Sequence, residues 1–202
     1  MSQKVLVWDA PTRVFHWVQA LCFLGAYLTS DSEKTRDIHV ALGYILFGMI
    51  VFRLLWGFVG TRYAKFSSFA YGPSKIISYL VSLFKGKADH FVGHNPIGSV
   101  AIWLLLSGGL TLGVTGVMLL QDDFEDIVEE IHDYATNAML IVIAIHLIGV
   151  FASSFLHKEN LVRAMITGFK PGEDSQGIKT AYNWLAAMML VIVVSFGAYY
   201  LR

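Results

Sequence analysis

The 202-residue chain has one cysteine, Cys22, four prolines and no surplus of either charge, with fifteen Lys and Arg against fifteen Asp and Glu. A single cysteine forms no internal disulfide and builds no thiolate metal centre. Lying in an apolar stretch, Cys22 reads as a small helix- or lipid-facing residue. With no basic stripe and a pI near 7.1, the chain lacks the electrostatic footprint of a nucleic-acid binder. Charged residues are 15% of the total, well below the usual share of about 25% in soluble domains. No cleavable signal peptide stands out either: residues 1–12 are polar, and the first apolar run ends without a small-residue cleavage pattern. That first run is therefore expected to remain as an anchor.

Long hydrophobic runs are what the chain has instead. Hydrophobic residues make up 55% of the sequence, and the mean hydropathy is +0.58. Five apolar stretches, at about 14–29, 38–60, 97–120, 131–153 and 182–201, are each near the roughly 20 residues that a spanning helix needs. The expected fold is thus an all-α integral membrane bundle. Pro11 suits the start of the first helix, where its missing N–H is no loss. Within the 61–96 connection, PSKIISYLVSLF at 73–84 has a strong apolar face with Lys75 at its polar edge, and reads as a short interfacial helix. Gly109, Gly113 and Gly116 allow close approach to the third span, by another helix or by a flat cofactor.

Basic residues orient the bundle. The N-terminus and the 61–96 and 154–180 connections hold most Lys and Arg, whereas QDDFEDIVEE at 121–130 has six acidic residues and no basic one. The positive-inside rule then puts the N-terminus in the cytoplasm and the acidic loop outside. Five spans leave the C-terminus outside. Lys34 and Arg36, in the 30–37 loop, run mildly against this.

The fourth span carries His132 and His146, fourteen residues apart. On a helix they share one face and stand about 21 Å apart along the axis, some two thirds of the roughly 30 Å hydrocarbon core. The first span runs outward with His16 near the cytoplasmic face, and the second runs inward with His39 near the outer face. Depth alone pairs His16 with His146 and His39 with His132. Two histidines at each face, each pair on two different helices, suit bis-histidine ligation of two haems. The bland alternative for any one of them is a polar contact between helices. Zinc would need a third and fourth ligand, which the inner pair lacks. A proton relay would need carboxylates deep within the spans, which carry none beyond Asp133 at the outer end of the fourth. Arg53 lies fourteen residues after His39, at the depth of the inner pair, where a guanidinium suits a haem propionate. Arg13 and Arg62 are further candidates, with snorkelling to lipid phosphate as the alternative. His90, His94 and His157 read as interface or capping residues, although His94 or His157 could serve a quinone head group.

Several motifs together resemble the bacterial cytochrome b561 family, which includes the b-type cytochrome subunit of nickel–iron hydrogenases. They are VWDAPTRVFHW at 7–17, IHVALGYILFGMIVFRLLWGFVGTRYAKF at 38–66, GHNPIG at 93–98, and the His132/His146 pair followed by HKENLVRAMITG at 157–168. The resemblance spans residues 5 to about 170. It implies a four-helix transmembrane bundle with two b haems, held by histidines on the first, second and fourth spans that match His16, His39, His132 and His146. A dihaem domain is then expected over 1–170, and a connector with an additional membrane helix, beyond the minimal family pattern, over 171–202.

The expected function is electron transfer across the membrane between a quinone pool and a periplasmic redox partner, a c-type cytochrome or a hydrogenase. The acidic outer loop could steer a basic partner. A stand-alone superoxide:quinone oxidoreductase is an alternative, which Asp122, Asp123, Glu125 and Asp126 argue against because superoxide is an anion. A non-redox membrane anchor is a third reading, disfavoured by four histidines in register. Self-association is left open by the sequence.

Overall fold

The computed structural model describes residues 3–121 and 125–202, so Asp122 and Asp123 of the acidic segment lie outside the described residues. The chain runs β1 (Gln3–Leu6), α1 (Ala10–Leu28), α2 (Arg36–Val59), α3 (Pro73–Phe84), α4 (Pro96–Leu119), α5 (Glu125–Leu156), α6 (Leu161–Thr167), β2 (Phe169–Gly172) and α7 (Asn183–Tyr200). Among the described residues four segments are long and apolar enough to cross a membrane: Glu33–Val59, Pro96–Leu119, Asp126–Leu156 and Asn183–Tyr200. The first of the five expected spans, α1, has the length at 19 residues. Thr12, Arg13, His16 and Gln19 keep it from matching the others in apolar content.

Local chemistry sets the helix starts. Asp9 caps α1, accepting from Thr12 N at 2.7 Å, and Pro11 sits in the first turn. Asn95 caps α4 in the same way through Gly98 N at 2.7 Å, with Pro96 behind it. These side chains satisfy amides that a helix N-terminus otherwise leaves open. Helix α6 ends at Gly168, whose φ of +88° is the left-handed conformation a helix C-cap favours.

Helix α2 lies at the centre, packed on α1, α4 and α7, and α5 packs along α4. The core joins Val18 and Cys22 of α1, Met49 and Ile50 of α2, Phe66 and Phe69 of the following turn, Leu106 of α4 and Met189 of α7. The glycines of α4 serve this packing. A Cβ at Gly109 would meet Ile50 Cδ1 at 2.8 Å, one at Gly113 would overlap Phe47, and one at Gly108 would meet Met139 Sδ. The short helix expected at 73–84 is present as α3, with Tyr79 buried and Ile77, Val81 and Phe84 exposed.

One feature is absent from the all-α expectation. Strand β1 pairs antiparallel with β2, Gln3 opposite Gly172 and Leu6 opposite Phe169. This ribbon closes a collar at one end of the bundle, where Val5, Val7, Trp8, Tyr63 and Ala164 form a second core with Val92, Met165 and Ile178. The collar gathers the three basic segments of the sequence. Only Lys34, Arg36, Arg53 and Arg202 of the fifteen basic residues lie outside those segments.

Candidate functional site

The paired histidines come together as depth required. The His16 and His146 rings lie 6.4 Å apart at the collar end, and the His39 and His132 rings lie 6.4 Å apart towards the other end. Their planes are inclined by 52° and 58°. Yet the helices behind them do not close up: α5 packs on α4 and α6 and makes no extended contact with α1 or α2. Each pair therefore reaches across a gap. An iron atom bonded on both sides by imidazole nitrogen at about 2 Å would hold the ring centres roughly 6 Å apart. The observed spacing fits one planar group between each pair. Among the described residues, no group of three or more His, Cys, Asp or Glu side chains could hold a metal ion. Two nitrogens per site suit a porphyrin, whose own ring supplies the other ligands.

The hydrogen bonds orient the rings. His39 Nδ1 lies 2.8 Å from the carbonyl of Ala26, in the last turn of α1, a carbonyl that also accepts from Thr29 N at 3.2 Å. A carbonyl only accepts, so Nδ1 carries the proton and Nε2 offers its lone pair. His132 Nδ1 lies 2.8 Å from Thr115 Oγ1. His16 Nδ1 is buried without a partner. Neither Thr115 nor the Ala26 carbonyl is marked in the sequence, since a mid-helix threonine and a terminal carbonyl carry no motif.

Arg53 is only 3% exposed. Its guanidinium stacks over Phe66, 5.1 Å from the ring centre, with Phe69 at 6.0 Å, and Nη1 has no hydrogen-bond partner. The nearby carboxylate, Asp9, is already engaged by Thr12 N, by Trp56 Nε1 at 3.1 Å and by Thr61 Oγ1 at 2.5 Å. A buried arginine short of an anion is costly, and a carboxylate arriving with a cofactor would meet that need. Arg13 Nη1 donates to Ile166 O at 2.6 Å, closing the end of α6, while its Nε is buried without a partner, and Arg62 Nη1 donates to Ser175 O at 3.2 Å.

The remaining histidines belong to the collar. His94 lies 4.6 Å from both the Trp8 and Phe69 rings, and burial beside Arg53, Lys170 and His146 pushes its pKa down to about 3. His90 Nε2 meets Glu159 Oε1 at 2.6 Å, and Glu159 also pairs with buried Lys170 at 3.2 Å. The His157 ring faces His90 at 5.4 Å, and its pKa is lowered chiefly by desolvation. A cavity of about 840 Å³ lined by Arg62, Tyr71, His90 and His94 opens on this side.

A family model described as prokaryotic cytochrome b561 matches residues 7–168. The chain is 24% identical to a probable Ni/Fe-hydrogenase B-type cytochrome subunit of Rhizobium leguminosarum bv. viciae, covering 85% of this chain and 92% of the relative. It is 23% identical to the corresponding protein of Azotobacter vinelandii, over 85% and 90% of the two chains. Against a probable Ni/Fe-hydrogenase 1 B-type cytochrome subunit of Escherichia coli K12 the identity is 24%, over 81% and 89%. No solved structure matches the chain. The chain belongs to the prokaryotic cytochrome b561 family, the b-type membrane cytochromes that carry electrons.

Proposed function

We propose that the protein is a dihaem electron conduit of the bacterial inner membrane, linking a quinone pool to a periplasmic redox partner. The observation that carries this reading is the pair of pairs: two sets of facing imidazoles, each across a gap between helices. Residues 132 and 146 on α5 stand about 21 Å apart along the axis. His16 and His146 would hold one haem b, His39 and His132 the other, and Arg53 would receive a propionate at the collar end. Haem b supplies a one-electron iron couple when bound. The chain's own residues fix the ring tautomers, exclude water with the aromatic cluster around Phe66 and Phe69, and balance charge through Arg53.

In this reading all five helices α1, α2, α4, α5 and α7 cross the bilayer. Although α1 is more polar than the rest, it runs along α2 and α7 with its polar side chains turned to the core and the collar. Residues 1–170 form the dihaem domain, and α7, packed on α1 and α2 away from the histidine gap, is an added docking helix. The curated relatives carry a hydrogenase in their names, which favours a hydrogenase over a c-type cytochrome as partner. The exposed Asp126, Glu129, Glu130 and Asp133 at the far end of α5 suit a basic protein surface and oppose superoxide.

The test is a pyridine haemochrome assay with a redox-titrated visible spectrum, on the unmodified protein and on His132→Ala and His146→Ala. The expected result is two b haems per chain, with each variant losing a different one. One haem per chain, or loss of the same haem from both variants, would overturn the reading.

A further inference from the structure

Three polar residues repeat every four positions along α4. Ser107 Oγ donates to Trp103 O at 2.7 Å, Thr111 Oγ1 to Ser107 O at 3.0 Å, and Thr115 Oγ1 to Thr111 O at 2.8 Å. Such bonds to the preceding turn are common for hydroxyls inside helices, and for exposed Ser107 and half-buried Thr111 they are the whole story. Thr115 differs in two respects. It is only 6% exposed, and its oxygen also lies 2.8 Å from His132 Nδ1.

The proton count fixes the direction of that second bond. A threonine hydroxyl has one proton, and a carbonyl oxygen can only accept. With the proton given to Thr111 O, the Thr115 oxygen offers a lone pair, and His132 Nδ1–H donates to it. The neutral ring is then held with Nε2 unprotonated, its centre 6.4 Å from that of His39. His39 is held in the same tautomer by the Ala26 carbonyl. At the collar end, His16 Nδ1 is buried without any such acceptor. The two sites thus differ in the support behind their ligands.

We propose that Thr115 is a positioning residue that fixes the His132 tautomer and lowers the reduction potential of the site that His132 and His39 form. This rests on the reading of the four histidines as haem ligands. The physical basis is general: a hydrogen bond accepted from the far nitrogen of a ligating imidazole makes the ring a stronger donor, which favours the more oxidised metal. Loss of the acceptor removes that bias from one site only.

The experiment is a potentiometric titration of the purified two-haem protein with Thr115→Val, which keeps the side-chain shape but not the oxygen, and with Thr115→Ser, which restores the hydroxyl. His132→Ala identifies which midpoint belongs to this site. Thr115→Val is expected to raise that midpoint, shifting the oxidised-to-reduced ratio at fixed potential by about tenfold, or about 59 mV for one electron. The collar-end midpoint should stay in place, and Thr115→Ser should return the first to its original value. Should the valine variant fail to accumulate, Thr115→Ala carries the same expectation. Two haems retained with neither midpoint moved would overturn the role of Thr115 alone. A His132→Ala protein that keeps both haems would instead overturn the ligand reading beneath it.

Discussion

At the scale of single residues, Arg53 separates a structural from a cofactor role. A guanidinium buried to 3% exposure between Phe66 and Phe69, with Nη1 unbonded, gains some cation–π attraction but not enough to replace water. Asp9 contributes only at longer range, because its oxygens already serve the α1 cap and the α2 terminus. If an acidic cofactor group completes the site, removing the cation should be felt there first. Arg53→Gln is expected to lower the collar-end midpoint potential by the equivalent of about 1.5 kcal/mol, the worth of a hydrogen bond to a charged group. The other midpoint should hold, and Arg53→Lys should recover part of the loss. Equal movement of both midpoints would instead mean a general loosening of the bundle. On that reading Arg53 and Thr115 would act in the same sense, one raising the collar-end potential and the other lowering the far one. Electrons entering at the acidic end would then run downhill towards the collar.

At the scale of elements, the helix–helix seams decide where a gap is left. Helix α4 meets α2 through Gly109 and Gly113 and meets α5 through Gly108, so small residues allow close packing on both sides. Helix α5, drawn onto α4, then stands clear of α1 and α2. Gly113→Val would drive a side chain into Phe47 and is expected to cost about 1–3 kcal/mol as overpacking, read as a fall in thermal unfolding temperature in detergent with loss of bound haem. Gly197→Ala on α7, where a Cβ meets nothing within 4 Å, should leave both unchanged. The seams also show what the sequence could and could not reveal. Pro11, Pro73 and Pro96 mark the starts of α1, α3 and α4 because helix initiation is a local property. Four histidines could be paired by depth because helical rise is fixed. Strand β1 had no such signal: its partner begins at Phe169, and pairing across that much chain is dictated by the packing of the collar. The Thr115 bond was equally hidden, since its significance lies in which face of α5 docks on α4.

At the scale of the whole molecule, the collar is what gives the bundle a direction. It brings the N-terminal strand, the 61–96 connection and the 157–180 segment to one end, and with them most of the basic residues, while exposed acidic residues of α5 lie at the other. Translocation retains short basic segments on the cytoplasmic side, so the collar is expected to face the cytoplasm. Whether α1 crosses fully is the point on which the five-span arrangement turns, because its polar residues keep it out of the plainly apolar set. Single cysteines at exposed Lys4, Lys34, Lys87 and Arg202, in a Cys22→Ala background, can be probed with a membrane-impermeant thiol reagent in intact spheroplasts. Lys34→Cys and Arg202→Cys should label from outside, and Lys4→Cys and Lys87→Cys only after permeabilisation. Labelling of Lys4→Cys and Lys34→Cys from the same side would mean that α1 does not cross. The reverse pattern throughout would keep the five crossings but turn the protein over, placing the Arg53 end of the bundle towards the periplasm.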